Sequence, residues 1–293
     1  MAGLPEVLAL DEIAPDRFRS GPIPSQWPRT FGGQIAAQSL MAAARTLDRS
    51  YSAHSMHGYF LRPGRPHEST DHLVERIRDG GSFCTRRVTA VQAGEAIFTM
   101  TASFHLGDEG FSHQVDMPAV PAPGHIPESD LISGWSMPRP AEWRDWEMRW
   151  VPRGEIGHVP EAPACQRVWI RYGRQLPDDG AVHTCALTYL SDMALLGSAR
   201  LPHPQAVVQG ASLDHSLWFL RPFRADEWLL YDQVSPSAEH GRALTRGRLF
   251  DTGGRLVAAV AQEGLMRFDR PRSMAGRDTE EGTHGAHASA SVP

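Results

Sequence analysis

The tetrad Phe60-Leu61-Arg62-Pro63 recurs as Phe219-Leu220-Arg221-Pro222, 159 positions further along the chain. A second pair of segments, Glu95-Ala96-Ile97-Phe98-Thr99-Met100-Thr101 and Arg255-Leu256-Val257-Ala258-Ala259-Val260-Ala261, stands at an offset of 160. Each member of that pair follows a turn signal, Gln92-Ala93-Gly94 in the first half and Asp251-Thr252-Gly253-Gly254 in the second. Two landmarks in the same order at nearly the same offset indicate an internal duplication. The constraint is strong: whatever one half folds into, the other must fold into as well.

Each half carries one helix and a run of strands. In the first, Gly32-Gly33 opens an Ala-, Leu- and Met-rich run over 34–47 with high helix propensity and little polar face, which predicts a largely buried helix. Strand-like segments follow at 55–61, 70–77, 82–92 and 95–104, separated by turn residues. The second half predicts strands at 146–151 and 166–171, a helix at 182–198, and strands at 216–220, 228–234, 243–250 and 256–266. One buried helix followed by antiparallel strands, twice over, is an α+β pattern. A sheet wrapped around a single central helix, the hotdog arrangement, satisfies it in each half.

Two stretches break the pattern. Residues 117–140 hold six prolines (Pro118, Pro121, Pro123, Pro127, Pro138 and Pro140), which cannot continue a helix or a central strand. From Pro271 onward the chain is Gly, Ala, Ser, His and charge with no apolar period. The expected division is therefore an N-terminal unit at 1–116, a Pro-rich linker at 117–141, a C-terminal unit at 142–270 and a disordered tail at 271–293.

Composition narrows the chemistry. Of 293 residues 41% are apolar and 22% charged, and the net charge of −5 comes with no long run of one sign, so no nucleic-acid footprint is expected. No apolar stretch is long enough for a transmembrane helix and the first residues lack a secretory pattern, so membrane insertion is not expected and a cytoplasmic protein is. Cys84, Cys165 and Cys185 are odd in number and widely spaced, which predicts reduced thiols and neither a disulfide framework nor a cysteine zinc site. All 29 basic residues are arginine. The absence of lysine removes Schiff-base chemistry and lysine general bases, and leaves anions to arginine, histidine and backbone amides.

At Phe31-Gly32-Gly33-Gln34, and at His54-Ser55-Met56-His57 leading into Tyr59-Phe60-Leu61-Arg62-Pro63-Gly64, the sequence resembles the acyl-CoA thioesterase II family. So do Arg78-Asp79-Gly80, Ser82-Phe83, Arg86-Arg87-Val88, Val168-Trp169-Ile170-Arg171, Ser191-Asp192, Asp214-His215-Ser216-Leu217-Trp218-Phe219, Arg221-Pro222-Phe223 and Gln262-Glu263-Gly264-Leu265-Met266-Arg267. The likeness spans about residues 5–268. It implies a tandem (double) hotdog fold and hydrolysis of fatty acyl-CoA, with no cofactor and no metal. Carried over by position, it also implies that Asp192, Ser212 and Gln262 orient and polarise an attacking water.

The residues support those implied roles to different degrees. Asp192 interrupts the apolar stretch 187–196 on the predicted second helix, where a carboxylate is costly unless paired, hydrated or used. A local hydroxyl such as Ser191 could satisfy it. Ser212 lies in no Gly-x-Ser-x-Gly elbow. His215, three residues on, would face the opposite way on a regular strand, which disfavours a Ser–His couple. Gln262 is a polar break in an apolar strand, with an amide able to donate to water or substrate while accepting from Ser212. The amides at Gly32, Gly33 and Gln34, at a helix start, suit a developing oxyanion, although the glycines could equally serve a tight turn. His54, His57 and His215 are expected to pack or hydrogen-bond rather than bind metal. Arg86, Arg87, Arg221 and Arg224 are candidates for coenzyme A phosphates, or simply solvated.

Two rival functions fit the same fold class: an enoyl-CoA hydratase-type enzyme and a non-catalytic acyl-CoA-binding module. The first wants a His and an Asp near a helix start, and Phe31-Gly32-Gly33-Gln34 contains neither. The second would not need the polar trio. Open sheet edges in such folds make a homo-oligomer the expected assembly.

Overall fold

The computed structural model describes residues 3–129, 131–133, 137–156 and 164–268. The expected tail at 271–293 lies outside these residues. In chain order the elements are α1 (Leu4–Val7), β1 (Asp11–Ala14), β2 (Arg17–Ser20), α2 (Gly32–Ala44), β3 (Ser52–Phe60), β4 (Thr70–Asp79), β5 (Phe83–Gln92) and β6 (Glu95–His105). Then come β7 (Leu131–Ile132), β8 (Met137–Pro138), β9 (Trp146–Trp150), β10 (Cys165–Tyr172), α3 (Gly180–Ser191), β11 (Val208–Ser212), β12 (Asp214–Phe219), β13 (Leu229–Glu239), β14 (Arg242–Asp251) and β15 (Leu256–Phe268).

Thirteen strands form one antiparallel sheet, ordered β1-β2-β4-β5-β6-β3-β12-β15-β14-β13-β10-β9, with β11 pairing β15. The seam is the antiparallel pair of β3 and β12, with Ser216 opposite His57 and Leu217 opposite Met56. Counted outward from the seam, β3-β6-β5-β4 on one side matches β12-β15-β14-β13 on the other. The two Phe-Leu-Arg-Pro tetrads begin at the ends of the two seam strands. Alternating residues of β5 point to the core, with Cys84, Arg86, Val88, Ala90 and Gln92 buried, as period-two patterning requires.

Helices α2 and α3 are buried on nearly all sides, through Ile35, Ala36, Ala37, Leu40, Ala42 and Ala43 in one and Cys185, Ala186, Leu187, Tyr189 and Leu190 in the other. They pack on each other, and alanine and glycine at the contact allow a close approach. A single apolar cluster runs through residues of both halves, from Phe18, Ile35 and Phe98 to Leu187, Leu217 and Val260.

Several elements depart from the sequence expectation. The second helix ends at Ser191 rather than 198. Beyond it, Ala194 is left-handed at φ 60° and a 3-10 turn covers Leu195–Arg200. The cause is tertiary: Tyr231 Oη donates to Ser191 O at 2.5 Å, Gln233 Nε2 to Met193 O at 3.2 Å and Gln166 Nε2 to Ala194 O at 2.9 Å. Buried side chains thus take carbonyls that a continued helix would have used. Strands β1, β2 and β11 have no counterpart in the sequence expectation, because β1 is a short, exposed edge and β11 is a Gly-containing segment without alternation. The Pro-rich stretch is not merely a spacer. Ile126 packs with Val151, Trp169, Leu230 and Phe250, while Trp169 Nε1 donates to Pro121 O and Arg149 Nη1 to Ile126 O.

Candidate active site

Asp192 is the residue following α3 and caps its C-terminus. It is therefore not inside a helix, as the apolar run had suggested, but at the point where the buried helix breaks. Its carboxylate faces the start of α2: Gly33 N donates to Oδ2 at 2.9 Å. The helix α2 presents positive amide ends there, a favourable partner for a carboxylate. The other oxygen, Oδ1, accepts from Ser212 Oγ at 3.2 Å. Ser212 in turn accepts from Gln262 Nε2 at 2.7 Å. The three residues implied by the family likeness, lying on the end of α3, the end of β11 and the middle of β15, are thus brought into one hydrogen-bonded chain.

The amide of Gln262 is oriented opposite to the sequence expectation. It donates to Ser212 rather than accepting from it, and its oxygen faces His215 Nδ1 at 2.6 Å. His215 Nε2 lies 2.8 Å from Ser191 Oγ, whose single hydroxyl proton has a second acceptor within reach in Thr188 O, also at 2.8 Å. Ser191 therefore does not satisfy Asp192; it closes the far end of the network.

That His215 lies on the same side as Ser212 corrects the strand argument. Ser212 pairs with Gly264 and Ser216 with Ala261, so β11 and β12 hold one more residue than the stretch of β15 they face. This is a β-bulge, and one extra residue flips the facing of everything beyond it. The two side chains are still not directly bonded, since the Gln262 amide stands between them.

The glycines at the start of α2 are needed for close approach. A Cβ on Gly32 would lie 2.8 Å from Asp192 Oδ2 and 2.9 Å from Phe60 Cζ, and one on Gly33 would lie 2.4 Å from Tyr189 O. The Gly33 amide is committed to Asp192, and Gln34 N donates to Phe31 O at 3.1 Å. Two of the three amides considered for an oxyanion, those of Gly33 and Gln34, thus have partners within the protein. Phe31 and Gln34 line a pocket together with Ile23, Trp27, Trp143 and Tyr189.

Asp192 and Ser212 are half-buried, whereas Gln262 and His215 are buried. Crowding by protein pushes the Asp192 carboxyl above the usual carboxylate range, offset in part by the His215 ring, the Gly33 amide, Gln262 and Ser212. Burial likewise lowers the His215 pKa, against the pull of Asp192 and Gln262. Both shifts favour neutral forms, as expected when charge is removed from water.

The remaining candidates are engaged elsewhere. Arg86 is buried and bonded to Thr46 Oγ1, Arg78 O, Thr85 O and Asp79, and Arg87 pairs with Glu75. Arg221 donates to Leu256 O and His113 O, and Arg224 pairs with Asp226 and Asp178. His54 contacts Ser103 Oγ at 2.8 Å, and the His57 ring packs on Trp218. Among the described residues no group of three His, Cys, Asp or Glu could hold a metal, and no helix is long and apolar enough to cross a membrane. Cys84, Cys165 and Cys185 are buried and in no disulfide. The hydratase objection also changes: the helix start does meet an Asp, delivered from 159 residues away.

Comparison with known proteins converges on one family. The model described as acyl-CoA thioesterase matches residues 145–265, and that of the acyl-CoA thioesterase N-terminal domain matches 22–105. The chain is 36% identical to acyl-coenzyme A thioesterase 8 of Mus musculus, over 89% of this chain and 88% of the relative. Among solved structures, the acyl-CoA thioesterase II TesB2 of Mycobacterium marinum is 50% identical with a TM-score of 0.83, covering 91% of this chain and 99% of that one. A protein of unknown function with a hot dog fold from Alicyclobacillus acidocaldarius, 22% identical, shares the fold with a TM-score of 0.76 over 92% of this chain and all of that one. The chain has a hotdog fold and belongs to the acyl-CoA thioesterase family, whose members are thioester hydrolases.

Proposed function

We propose that the protein hydrolyses fatty acyl-CoA to free acid and coenzyme A by direct attack of water, with no covalent intermediate, using Asp192, Ser212 and Gln262. The observation that carries this is the chain from Gly33 N through Asp192 and Ser212 to Gln262. A carboxylate offers about four lone-pair sites and here two are taken, which leaves room for a water on a half-buried group. A raised pKa makes Asp192 a stronger base toward that water, a role typically contributing about 10²- to 10⁴-fold.

Asp192 takes one proton as the water oxygen bonds to the thioester carbon and the carbonyl becomes an oxyanion. Gln262 Nε2 carries two N–H bonds and Ser212 takes one, so the second, with the Gly32 amide and the positive end of α2, would receive that oxyanion. Collapse breaks the carbon–sulfur bond, and the proton on Asp192 passes to the departing sulfur. Beside the helix start, Phe31, Trp27, Trp143 and Tyr189 form an aromatic cleft whose lining also includes Ser25 and Glu142. The halves read as tandem hotdog units, on the matching strand order either side of the seam and one buried helix in each.

A hydratase reading would require His215 to reach substrate. It is fully buried with both ring nitrogens engaged, which disfavours it. The test is release of coenzyme A thiol from acyl-CoAs spanning acetyl to palmitoyl, for wild type and Asp192→Asn. Turnover that disappears in the variant supports the assignment and yields the chain-length profile. No turnover with any acyl-CoA would transfer the weight to a binding module.

A further inference from the structure

The polarity of the network can be worked out from its charged end. The Asp192 carboxylate only accepts, so the Ser212 hydroxyl proton points to Oδ1. Ser212 Oγ must then accept from its other neighbour, which places the –NH₂ of Gln262 toward it and the amide oxygen toward His215. An amide oxygen also only accepts, so Nδ1 of His215 must carry the proton across that 2.6 Å contact. Nε2 is left as a lone pair, and the Ser191 hydroxyl, 2.8 Å from both Nε2 and Thr188 O, turns its single proton to that nitrogen.

The opposite orientation is sterically almost identical. With the proton on Nε2, the bare Nδ1 would attract the –NH₂ of Gln262, and the flipped amide oxygen would capture the Ser212 proton. Asp192 would then lose its hydroxyl donor. An amide alone cannot choose between these states, because its oxygen and nitrogen occupy nearly the same volume. The choice falls to the group on its far side.

We infer that His215 is a positioning residue: through its Nδ1–H it holds the Gln262 amide in the one orientation that keeps the Ser212 hydroxyl donating to Asp192. This rests on the catalytic reading of Asp192, Ser212 and Gln262. His215 touches no reacting atom and is fully shielded from solvent. The site that fixes it is built for the purpose, with Gln262 on one ring nitrogen, Ser191 on the other, and the bulge between Ser212 and Ser216 turning the ring inward.

The test uses the full-length protein with palmitoyl-CoA. His215→Leu should lower kcat about 10- to 100-fold, the range typical of a residue that orients a reacting group, with KM within about twofold. His215→Asn, whose amide nitrogen reaches roughly the place of Nδ1, should recover most of that loss. His215→Gln, whose nitrogen reaches instead the place of Nε2, should not. In a Gln262→Ala background His215→Leu should add no further loss, since the residue through which it acts is gone. Losses that multiply in the double variant, or wild-type kcat in folded His215→Leu, would overturn the inference. Should His215→Leu fail to fold, the Asn and Gln variants decide, and equal activity in both would equally overturn it. If Asp192→Asn and Gln262→Ala both retain full turnover, the catalytic reading itself falls and takes this inference with it. Trio-dependent turnover that is indifferent to His215 sinks only the inference.

Discussion

Gly33 and Asp192, 159 residues apart, meet where the start of one buried helix faces the end of the other, with the Gly33 amide donating to the carboxylate at 2.9 Å. That contact joins the N-terminal and C-terminal halves of the chain at the candidate site.

The contact depends on missing side chains. Gly33→Ala would set a Cβ 2.4 Å from the Tyr189 carbonyl, and backbone cannot yield as a flexible side chain can. We expect a loss of about 1–3 kcal/mol in denaturant unfolding, together with a fall in kcat. Gly32→Ala, whose Cβ would press on Asp192 Oδ2 itself, should cost turnover more than stability. Wild-type kinetics in both variants would show that the helices do not approach this closely.

Asp192→Asn should cut kcat by about 100-fold or more while leaving the fold intact. The pH dependence follows from the direction of the Asp192 shift. The base must be ionised, so kcat/KM should fall as pH drops through its raised pKa, on an acid limb lying above the ordinary 3.8. For stability the sign is opposite. A carboxyl whose pKa is raised by folding contributes most below 3.8, and that contribution is lost as pH rises through the folded value. At neutral pH the Asn variant should therefore have a Tm no lower than wild type. A Tm well below wild type would mean that the charge holds the fold together rather than straining it.

Ser212 should matter as a hydroxyl and not as a nucleophile. Ser212→Thr keeps the donor to Asp192 and is expected to remain active, whereas Ser212→Ala should lose about 100-fold in kcat, the low end of a lost transition-state hydrogen bond. Intact-protein mass spectrometry during turnover should show no acylated enzyme; an acyl adduct on Ser212 would exclude direct water attack.

Tyr231→Phe removes the donor that takes the Ser191 carbonyl where α3 stops. Leaving that buried carbonyl unpaired should cost about 1–3 kcal/mol. Because Asp192 is the next residue, kcat should decline as well. Unchanged stability would indicate that another donor replaces the phenol.

Most strands and both buried helices were legible in the sequence, because they are written in local patterns: turn residues, period-two alternation in β5, and the alanine-rich run of α2. The trio Asp192, Ser212 and Gln262 was reachable only through likeness to a family, since neither spacing nor composition links positions 192, 212 and 262. The tertiary structure alone decided the rest. Where α3 ends depends on Tyr231, Gln233 and Gln166 reaching in from distant strands. Which way His215 faces depends on a bulge visible only against β15. The Gly33 amide is taken by a carboxylate from the other half. Local sequence sets the propensity of each segment, but hydrogen bonds between segments far apart in the chain choose among endings and orientations of nearly equal local energy, and the chemistry of this site is built from those choices.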